Sequence, residues 1–260
     1  MTKPVALIGD VHAIPDEFQE LLAWINDQGI PNNRIWVLGD LWDRGPDSGA
    51  ISRICRQRGI NSILGNHEQS IINRWSAKVK GNKMRHPNPD KERTIASVTQ
   101  EDIDWASKLP PIHIFDDLKL VIAHGGVWPR IPFYKQPKNV IRAQMIQAWN
   151  PGPSRWWGPQ AKAGSGYSEE ESYAQGWRRW YEVYDHQYDI AFGHSVFQQP
   201  LIYKNPGAGT VFGLDTGGVF GGCLTGMIYY GKGEYHIKQV TAKKVYCQDM
   251  NKQFGVDDEG

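Results

Sequence analysis

The chain has 260 residues, of which 40% are hydrophobic and 22% charged, and its formal net charge at pH 7 is +1. A chain of this length fits one large α/β domain, or at most two small ones. We expect a single domain over residues 1–245 and a polar tail over residues 246–260. A net charge so close to zero gives no reason to expect nucleic acid or an anionic membrane as the main partner.

The chain has three cysteines. They lie at no metal-ligand spacing, and their odd number argues against a disulfide framework. The first residues lead almost directly into an apolar run, which leaves no room for a signal peptide, and no apolar run is long enough to span a membrane. We therefore expect a cytoplasmic protein.

The first third of the chain alternates short apolar runs with helical stripes of hydrophobic residues. Strands are predicted at residues 5–9, 34–39 and 62–65, and helices at residues 15–28, 47–58 and 68–76. Asp10, Asp40 and Asn66 lie at the ends of these strands, each directly after a glycine. Loops at the carboxyl ends of parallel strands lie along one edge of the sheet, where ligands usually bind. We therefore expect the three side chains to converge.

The remaining chain predicts further strands, and His124 and His194 each follow one of them. Strands are expected at residues 112–115, 118–123, 189–193, 210–215, 223–230 and 235–240, and helices at residues 101–109, 140–149 and 169–184. Residues 81–91 contain two prolines and predict a mobile surface loop. Residues 150–166 predict a long irregular segment of the kind that is usually functional or disordered.

Six side chains at the strand ends form a set of oxygen and nitrogen donors without sulfur. Two carboxylates, one amide and three imidazoles suit Mn, Fe or Zn better than Ca. Six donors exceed the four that a tetrahedral zinc ion takes, but they suit two adjacent divalent ions, with Mn²⁺ expected, if Asp40 bridges them. Such a pair would favour a bound phosphate and generate hydroxide at neutral pH. The six residues are Asp10, His12, Asp40, Asn66, His124 and His194.

Three polar residues in the same loops are left over from this metal set. Arg44 fits a bidentate hold on phosphate oxygens. His67 follows Asn66 directly, so it can face the site without binding metal and protonate a leaving alcohol. Asp43 is suited to hold that imidazole in its cationic form. We predict that these three residues act on the substrate and that Asn66 also contacts its phosphate.

Five ordered motifs resemble the signature of calcineurin-like metallophosphoesterases of the phosphoprotein-phosphatase type, from about residue 5 to residue 240. They are Gly9-Asp10-Val11-His12, Gly39-Asp40-Leu41-Trp42-Asp43-Arg44-Gly45, Gly65-Asn66-His67-Glu68, His124-Gly125-Gly126 and Gly193-His194. The resemblance implies an α/β (α+β) fold, a four-layer αββα sandwich of two mixed β-sheets flanked by helices.

The resemblance also implies a mechanism in which a metal-bridging hydroxide attacks phosphorus in line, without a covalent intermediate. Carried over by position, His67 is the general acid and Asp43 its partner. The family's second phosphate-binding arginine has no clear match, and Arg155 is our candidate, followed by Arg130 and Arg178. By the same carry-over, one metal takes Asp10, His12 and Asp40, and the other takes Asp40, Asn66, His124 and His194.

Two departures from the family pattern matter. Ala13 stands where the family usually has glycine. The glycine-rich segment 214–225 resembles the bacterial and phage branch, which contains both small Ser/Thr phosphatases and symmetrical dinucleoside tetraphosphatases. The segment therefore leaves the substrate open.

Three functions remain as hypotheses. The first is hydrolysis of phosphomonoesters, including phospho-Ser/Thr in proteins, because an acid with an orienting carboxylate suits a poor alkoxide leaving group. The second is hydrolysis of diadenosine tetraphosphate or related dinucleoside polyphosphates, with tryptophans of the segment 149–180 stacking on adenine. The third is a binding protein without catalysis, against which the intact donor set argues.

Several polar residues are interpreted as structural. Glu68 is expected to start the third helix rather than bind metal, and Asp215 to hold the glycine-rich loop by hydrogen bonds. Ordinary surface or packing roles are expected for His86, His113, His186 and His236.

Overall fold

The computed structural model describes residues 3–82, 88–142, 145–147, 173–174 and 176–248. Within these residues the helices are α1 (Pro15–Asp27), α2 (Ser48–Arg58), α3 (Asn66–Val79), α4 (Pro89–Ser97) and α5 (Gln100–Ala106). The strands are β1 (Val5–Ile8), β2 (Ile35–Val37), β3 (Asn61–Ser62), β4 (Ile112–Phe115), β5 (Leu120–Ala123), β6 (Met145–Gln147), β7 (Trp177–Arg179), β8 (Asp189–Phe192), β9 (Leu201–Lys204), β10 (Thr210–Gly213), β11 (Asp215–Thr216), β12 (Cys223–Gly231) and β13 (Glu234–Thr241).

Two mixed sheets form the centre of the molecule. The first has the strand order β11-β12-β1-β2-β3, with β13 paired to β12, and the second has the order β4-β5-β8-β10-β9. Strands β1, β2 and β3 are mutually parallel, as are β5, β8 and β10, whereas β12, β4 and β9 run antiparallel to their neighbours. This arrangement confirms the predicted α/β class with two mixed sheets.

The apolar side chains explain why the sheets stack. In β1, Leu7 packs into a cluster shared by both sheets, whereas Ile8 packs on the opposite face against α1 and α2. Both side chains are fully buried, as expected for a strand covered on its two faces. A third cluster, which includes Trp180 and Phe192, covers the outer face of the second sheet. The loops that follow the strands are therefore attached to two sheets that pack against each other.

Two predicted helices are wrong where the structure describes them. The predicted helix 140–149 overlaps a 3-10 helix at Lys138–Arg142 and strand β6 at Met145–Gln147. Within 169–184, Trp177–Arg179 form β7, which pairs with β6, and a 3-10 helix follows at Trp180–Val183. Aromatic residues fit a paired, half-buried strand well, and such packing overrides a weak helical pattern.

The predicted surface loop 81–91 is wrong at its end, because α4 begins at Pro89. The Asn88 side chain caps this helix by accepting hydrogen bonds from the backbone N–H groups of Asp90 and Lys91, and proline is favoured in the first helical turn. Lys91 is buried rather than exposed. Strand β9, at the edge of the second sheet, was also missed.

Residues near the end of the described chain pack against the domain. The Tyr246 hydroxyl donates a hydrogen bond of 2.8 Å to Glu17 Oε1 in α1. The backbone N–H groups of Tyr246 and Cys247 both donate to the carbonyl of Val219. These two residues, assigned to the tail in the sequence analysis, thus contact the glycine-rich loop. In the described part of the chain, no helix has the length and apolar character needed to cross a membrane.

Candidate metal centre and active site

The loops that follow the strands approach one another closely, and glycines make that approach possible. A side chain at Gly65 would overlap the carboxylate and the backbone nitrogen of Asp40. A side chain at Gly193 would overlap the carboxylate of Asp10. The glycines before Asn66 and His194 therefore reflect contact between neighbouring loops, which allows the predicted side chains to converge.

The first group of donors comes from the loops after β1 and β2. His12 Nε2 lies 4.0 Å from Asp10 Oδ2 and 3.7 Å from Asp40 Oδ2. The other ring nitrogen of His12 lies 3.0 Å from the carbonyl oxygen of Trp42, which orients Nε2 towards the carboxylates. Donor atoms of His12, Asp40 and His67 also lie within 4.8 Å of one another.

The second group adds donors from α3 and the second sheet. His124 Nε2 lies 3.2 Å from Asp40 Oδ1 and 3.0 Å from Asn66 Oδ1, while its Nδ1 lies 2.7 Å from the carbonyl oxygen of Leu38. Donor atoms of Asp40, His124 and His194 lie within 4.8 Å of one another. Asp40 belongs to both groups, so the structure puts its carboxylate between the two sets, where a bridging ligand would stand.

The backbone around these donors is strained. His12, Asp40 and His194 have positive φ angles of 42°, 49° and 64°. Ala13, at the position where the family usually has glycine, has a φ of 57°. Non-glycine residues in this region cost on the order of 1 kcal/mol each and persist where the surroundings over-determine them, typically at functional sites.

Burial and neighbouring charges shift the pKa values of the candidate donors. Burial, together with the carboxylates of Asp215 and Asp40, raises the pKa of Asp10 well above its usual value. Burial opposes protonation of His124, but Asp40 and Asp10 outweigh it and raise the pKa of that imidazole to about 10. Burial would also raise the pKa of Asp40, yet His124 and His67 hold it well below normal. The raised pKa values of Asp10 and His124 both result from carboxylates crowded into a buried site, and such crowding favours bound cations.

His67 and Asp43 form a close pair beside the candidate metal donors. His67 Nδ1 lies 2.8 Å from Asp43 Oδ2, and its Nε2 lies 3.9 Å from Asp40 Oδ2. Burial acts against ionisation of Asp43, but the hydrogen bond and charge of His67 and the ammonium group of Lys91 hold its pKa well below normal. An ionised Asp43 therefore orients the ring so that Nε2 faces the donors.

Arg44 lies on the other side of His12. Its Nη1 is 2.8 Å from His12 Nε2, and its guanidinium stacks over the Phe220 ring at 5.2 Å from the centroid. Phe220 belongs to the glycine-rich loop that Asp215 holds by accepting a 2.9 Å hydrogen bond from the N–H of Gly217. The contact predicted for Asp215 is thus confirmed, and the guanidinium lies at the donor cluster.

Glu68 stands in the first turn of α3, as predicted, and also links two of the site loops. Its carboxylate accepts hydrogen bonds from the backbone N–H groups of Asp40 (2.9 Å), Trp42 (3.0 Å) and Gly65 (3.1 Å). The side chain is fully buried. Burial, with the charge of Asp40, raises its pKa to about 8.

Sequence analysis missed two residues that contact Asp43, Lys91 and Thr94. Lys91 Nζ lies 3.1 Å from Asp43 Oδ2, and the Thr94 hydroxyl lies 3.2 Å from Asp43 Oδ1. The only sequence signal for this contact was the helix start at Asn88-Pro89, which places Lys91 and Thr94 one turn apart on one face.

Some predicted residues lie elsewhere. Arg155 lies outside the described residues. The Arg130 guanidinium is near Asp185, with Nε and Oδ2 3.7 Å apart, and Arg178 donates to the carbonyls of Tyr173 and Trp177, so neither of these contacts is to a donor residue.

The tryptophans and the remaining histidines also have packing contacts. Trp177 and Trp180 are buried in the core and therefore present no stacking face, while Trp149, Trp156 and Trp157 lie outside the described residues. The packing interpretation is confirmed for three histidines: His113 stacks on Trp36, His186 contacts Phe133, and His236 meets the Trp24 ring edge-on. His86 lies outside the described residues.

Curated proteins similar to this chain include two tetraphosphatases. A symmetrical bis(5'-nucleosyl)-tetraphosphatase of Hamiltonella defensa subsp. Acyrthosiphon pisum is 34% identical over 126 residues, which are 48% of this chain and 44% of that protein. One from Pectobacterium atrosepticum is 33% identical over 144 residues, 55% of this chain and 49% of that protein. The chain thus spans less than half the length of these relatives.

Solved structures share the fold. One described as a candidate diadenosine tetraphosphatase superposes with a TM-score of 0.70 at 21% identity, covering 93% of this chain and 95% of that chain. A metallophosphoesterase from Sphaerobacter thermophilus gives 0.53 at 15% identity, over 92% and 88% of the two chains. A family model described as calcineurin-like phosphoesterase matches residues 3–198. The chain belongs to the calcineurin-like phosphoesterase family.

Proposed function

We propose that the protein is a metal-dependent hydrolase that cleaves dinucleoside tetraphosphates symmetrically, into two nucleoside diphosphates. The observation that carries the substrate class is the similarity to symmetrical tetraphosphatases, at 34% and 33% identity. The family match and the clustered donors support the reaction class.

The donor set fits two divalent ions, and we propose Mn²⁺, with Fe or Zn as alternatives. Asp10, His12 and Asp40 would hold one ion, and Asp40, Asn66, His124 and His194 the other. The fit is supported by the excess of buried carboxylates and by the mixture of oxygen and nitrogen donors. When bound, the ions supply Lewis-acid chemistry, since they acidify water and neutralise phosphate charge.

The protein's own residues complete the reaction. Arg44, beside His12, holds phosphate oxygens through its guanidinium. Asp43 accepts the Nδ1–H of His67 and thereby aims Nε2 towards the donors; in the imidazolium form of His67, Nε2 carries the proton to be transferred. His67 delivers that proton to the leaving oxygen as the P–O bond breaks. Asn66 assists by contacting the same phosphate.

A second function, hydrolysis of phosphomonoesters including phospho-Ser/Thr, is favoured by the 2.8 Å pair of His67 and Asp43. A departing alkoxide needs a proton far more than a nucleoside diphosphate does, because the diphosphate leaves as a stabilised anion. An acid oriented this closely is therefore most useful for an alkyl ester.

One parallel assay tests both functions. Mn²⁺-loaded protein is incubated with diadenosine tetraphosphate, a phosphoserine peptide and p-nitrophenyl phosphate, and the products are separated by chromatography. Formation of ADP alone from the dinucleotide supports the proposal, whereas ATP with AMP would contradict symmetrical cleavage. Preference for the peptide would promote the second function. No turnover of any substrate at full metal occupancy would favour a binding protein instead.

The same assay tests His67. With the phosphoserine peptide as substrate, the variant His67→Ala should lower kcat by about 10²–10⁴-fold while the bound metal, measured by mass spectrometry, stays at the wild-type level. Exposed His236, far along the chain in β13, provides a matched control as His236→Ala. A His67→Ala variant with near-normal kcat on an alkyl phosphate would remove this residue from the acid role.

A further inference from the structure

The Asp43 carboxylate is held from four directions. Oδ2 contacts His67 Nδ1 at 2.8 Å and Lys91 Nζ at 3.1 Å. Oδ1 accepts from the Thr94 hydroxyl at 3.2 Å and from the backbone N–H of Arg44 at 3.1 Å. One carboxylate thus joins the imidazole to two side chains of α4.

Helix α4, which carries these two side chains, packs closely against the rest of the domain. Ile95 is buried in the core that α4 shares with the first sheet, and the carbonyl of Ser97 lies so close to Gly49 of α2 that a side chain there would overlap it. Lys91 and Thr94 are 5% and 3% exposed. A lysine this deeply buried is unusual unless its charge is paired, and the Asp43 carboxylate provides a pair.

The loop that carries Asp43 needs external support. Asp43 and Arg44 have consecutive positive φ angles of 76° and 67°, a conformation that non-glycine residues adopt only when their surroundings hold them. Besides the contacts to Asp43, Arg93 of α4 donates a 3.2 Å hydrogen bond to the carbonyl of Arg44. Helix α4 therefore contacts the loop at both Asp43 and Arg44.

We propose that Lys91 and Thr94 are positioning residues, which fix the Asp43 carboxylate and so aim the His67 imidazole at the leaving oxygen. This inference rests on the proposed hydrolase function and adds a determinant of substrate class to it. We call these two side chains the clamp. The clamp extends the range of substrates that the enzyme hydrolyses to phosphate esters with poor leaving groups.

The leaving group decides how much the clamp matters. Water supplies the hydroxyl that bonds to phosphorus, and the electron pair of the broken P–O bond stays on the leaving oxygen. An alkoxide must take the Nε2 proton of His67 as it departs, and the imidazole then regains a proton from solvent. A p-nitrophenolate or a nucleoside diphosphate departs as a stable anion, so a misaligned imidazole slows its release far less.

The test compares leaving groups in one variant. Lys91→Met keeps the buried stem and removes the ammonium group, and Lys108→Met, at an exposed position after α5, is the matched control. For Mn²⁺-loaded protein, kcat and KM are measured with phosphoserine and with p-nitrophenyl phosphate. We expect Lys91→Met to lower kcat for phosphoserine at least about tenfold more than for p-nitrophenyl phosphate, with KM little changed. Thr94→Val should act in the same direction, and Lys91→Arg should recover part of the loss.

The possible outcomes distinguish failure of the clamp proposal from failure of the proposed hydrolase function. Equal losses on both substrates, no loss on phosphoserine, or a wild type that cleaves diadenosine tetraphosphate but not phosphoserine would overturn the clamp and leave the hydrolase intact. A wild-type protein that hydrolyses neither substrate nor diadenosine tetraphosphate would overturn the proposed function, and the clamp with it.

Discussion

Glu68 offers the sharpest test of how the site loops are held together. Its carboxylate accepts three backbone hydrogen bonds, from Asp40, Trp42 and Gly65, at 2.9, 3.0 and 3.1 Å. Two of these donors lie in the loop after β2 and the third directly precedes α3. Replacing Glu68 with alanine removes every one of these acceptors while leaving the metal donors in place.

The size of the effect follows from these bonds. Each buried N–H left without an acceptor costs about 1–3 kcal/mol. Because the three groups are neighbours and water can enter the space, the costs add incompletely, and we expect Glu68→Ala to lower the free energy of unfolding by about 4 kcal/mol. Glu68→Gln can keep its oxygen at the position shared by the Asp40 and Gly65 donors and lose only the Trp42 bond, which predicts about 2 kcal/mol.

Urea unfolding followed by circular dichroism measures this difference. Chelator in the buffer removes any contribution from bound metal, and Glu20→Ala, an exposed glutamate in α1, serves as the control with an expected change within about 0.5 kcal/mol. A Glu68→Ala effect no larger than that of the control would refute the linking role. Equal effects of the alanine and glutamine variants would show that the hydrogen bonds are not its source.

Three further predictions concern charge and packing. Mn²⁺ binding should release protons at neutral pH, because a pKa of about 10 for His124 implies that this imidazole is protonated in metal-free protein; calorimetry in two buffers of different ionisation enthalpy measures this release, and identical heats would contradict it. Gly193→Ala should weaken Mn²⁺ binding at least about tenfold by displacing the Asp10 carboxylate, and unchanged affinity would be the contrary result. Burial, with Arg34, lowers the pKa of His113, so the unfolded chain binds the extra proton and stability falls as pH drops through about 6.5; His113→Gln should lose less thermal stability than wild type between pH 8 and pH 5, and equal losses would refute this assignment.

The sequence could predict those parts of the site that repeat a local rule. A short apolar run, a glycine and a polar residue recur at Asp10, Asp40 and Asn66, and the topology of parallel strands then dictates convergence. The pairing of His67 with Asp43 could also be predicted, because both lie in these loops at fixed sequence distances from the candidate metal donors. For such residues, the local sequence pattern is enough to predict their position in the fold.

Other parts depend on contacts between distant segments, which a local pattern does not encode. Lys91 resembles any surface lysine until α4 is placed beside Asp43, 48 positions earlier in the chain. Trp177 resembled part of a helix, yet its segment pairs as a strand with β6. In both cases the deciding interaction is tertiary, and local propensity is too weak to oppose it.

The loop from Gly39 to Gly45 shows how these two kinds of information combine. Its local sequence supplies Asp40, which we propose holds the metals, and Arg44, which we propose holds phosphate, but two consecutive residues in the left-handed region need support from their surroundings. Glu68 holds its beginning through the N–H groups of Asp40 and Trp42, and α4 holds its end through Asp43. The geometry needed for catalysis is thus imposed on the loop by helices from elsewhere in the chain. Substitutions in those two helices should therefore change the catalytic rate even though the substituted side chains do not contact a substrate.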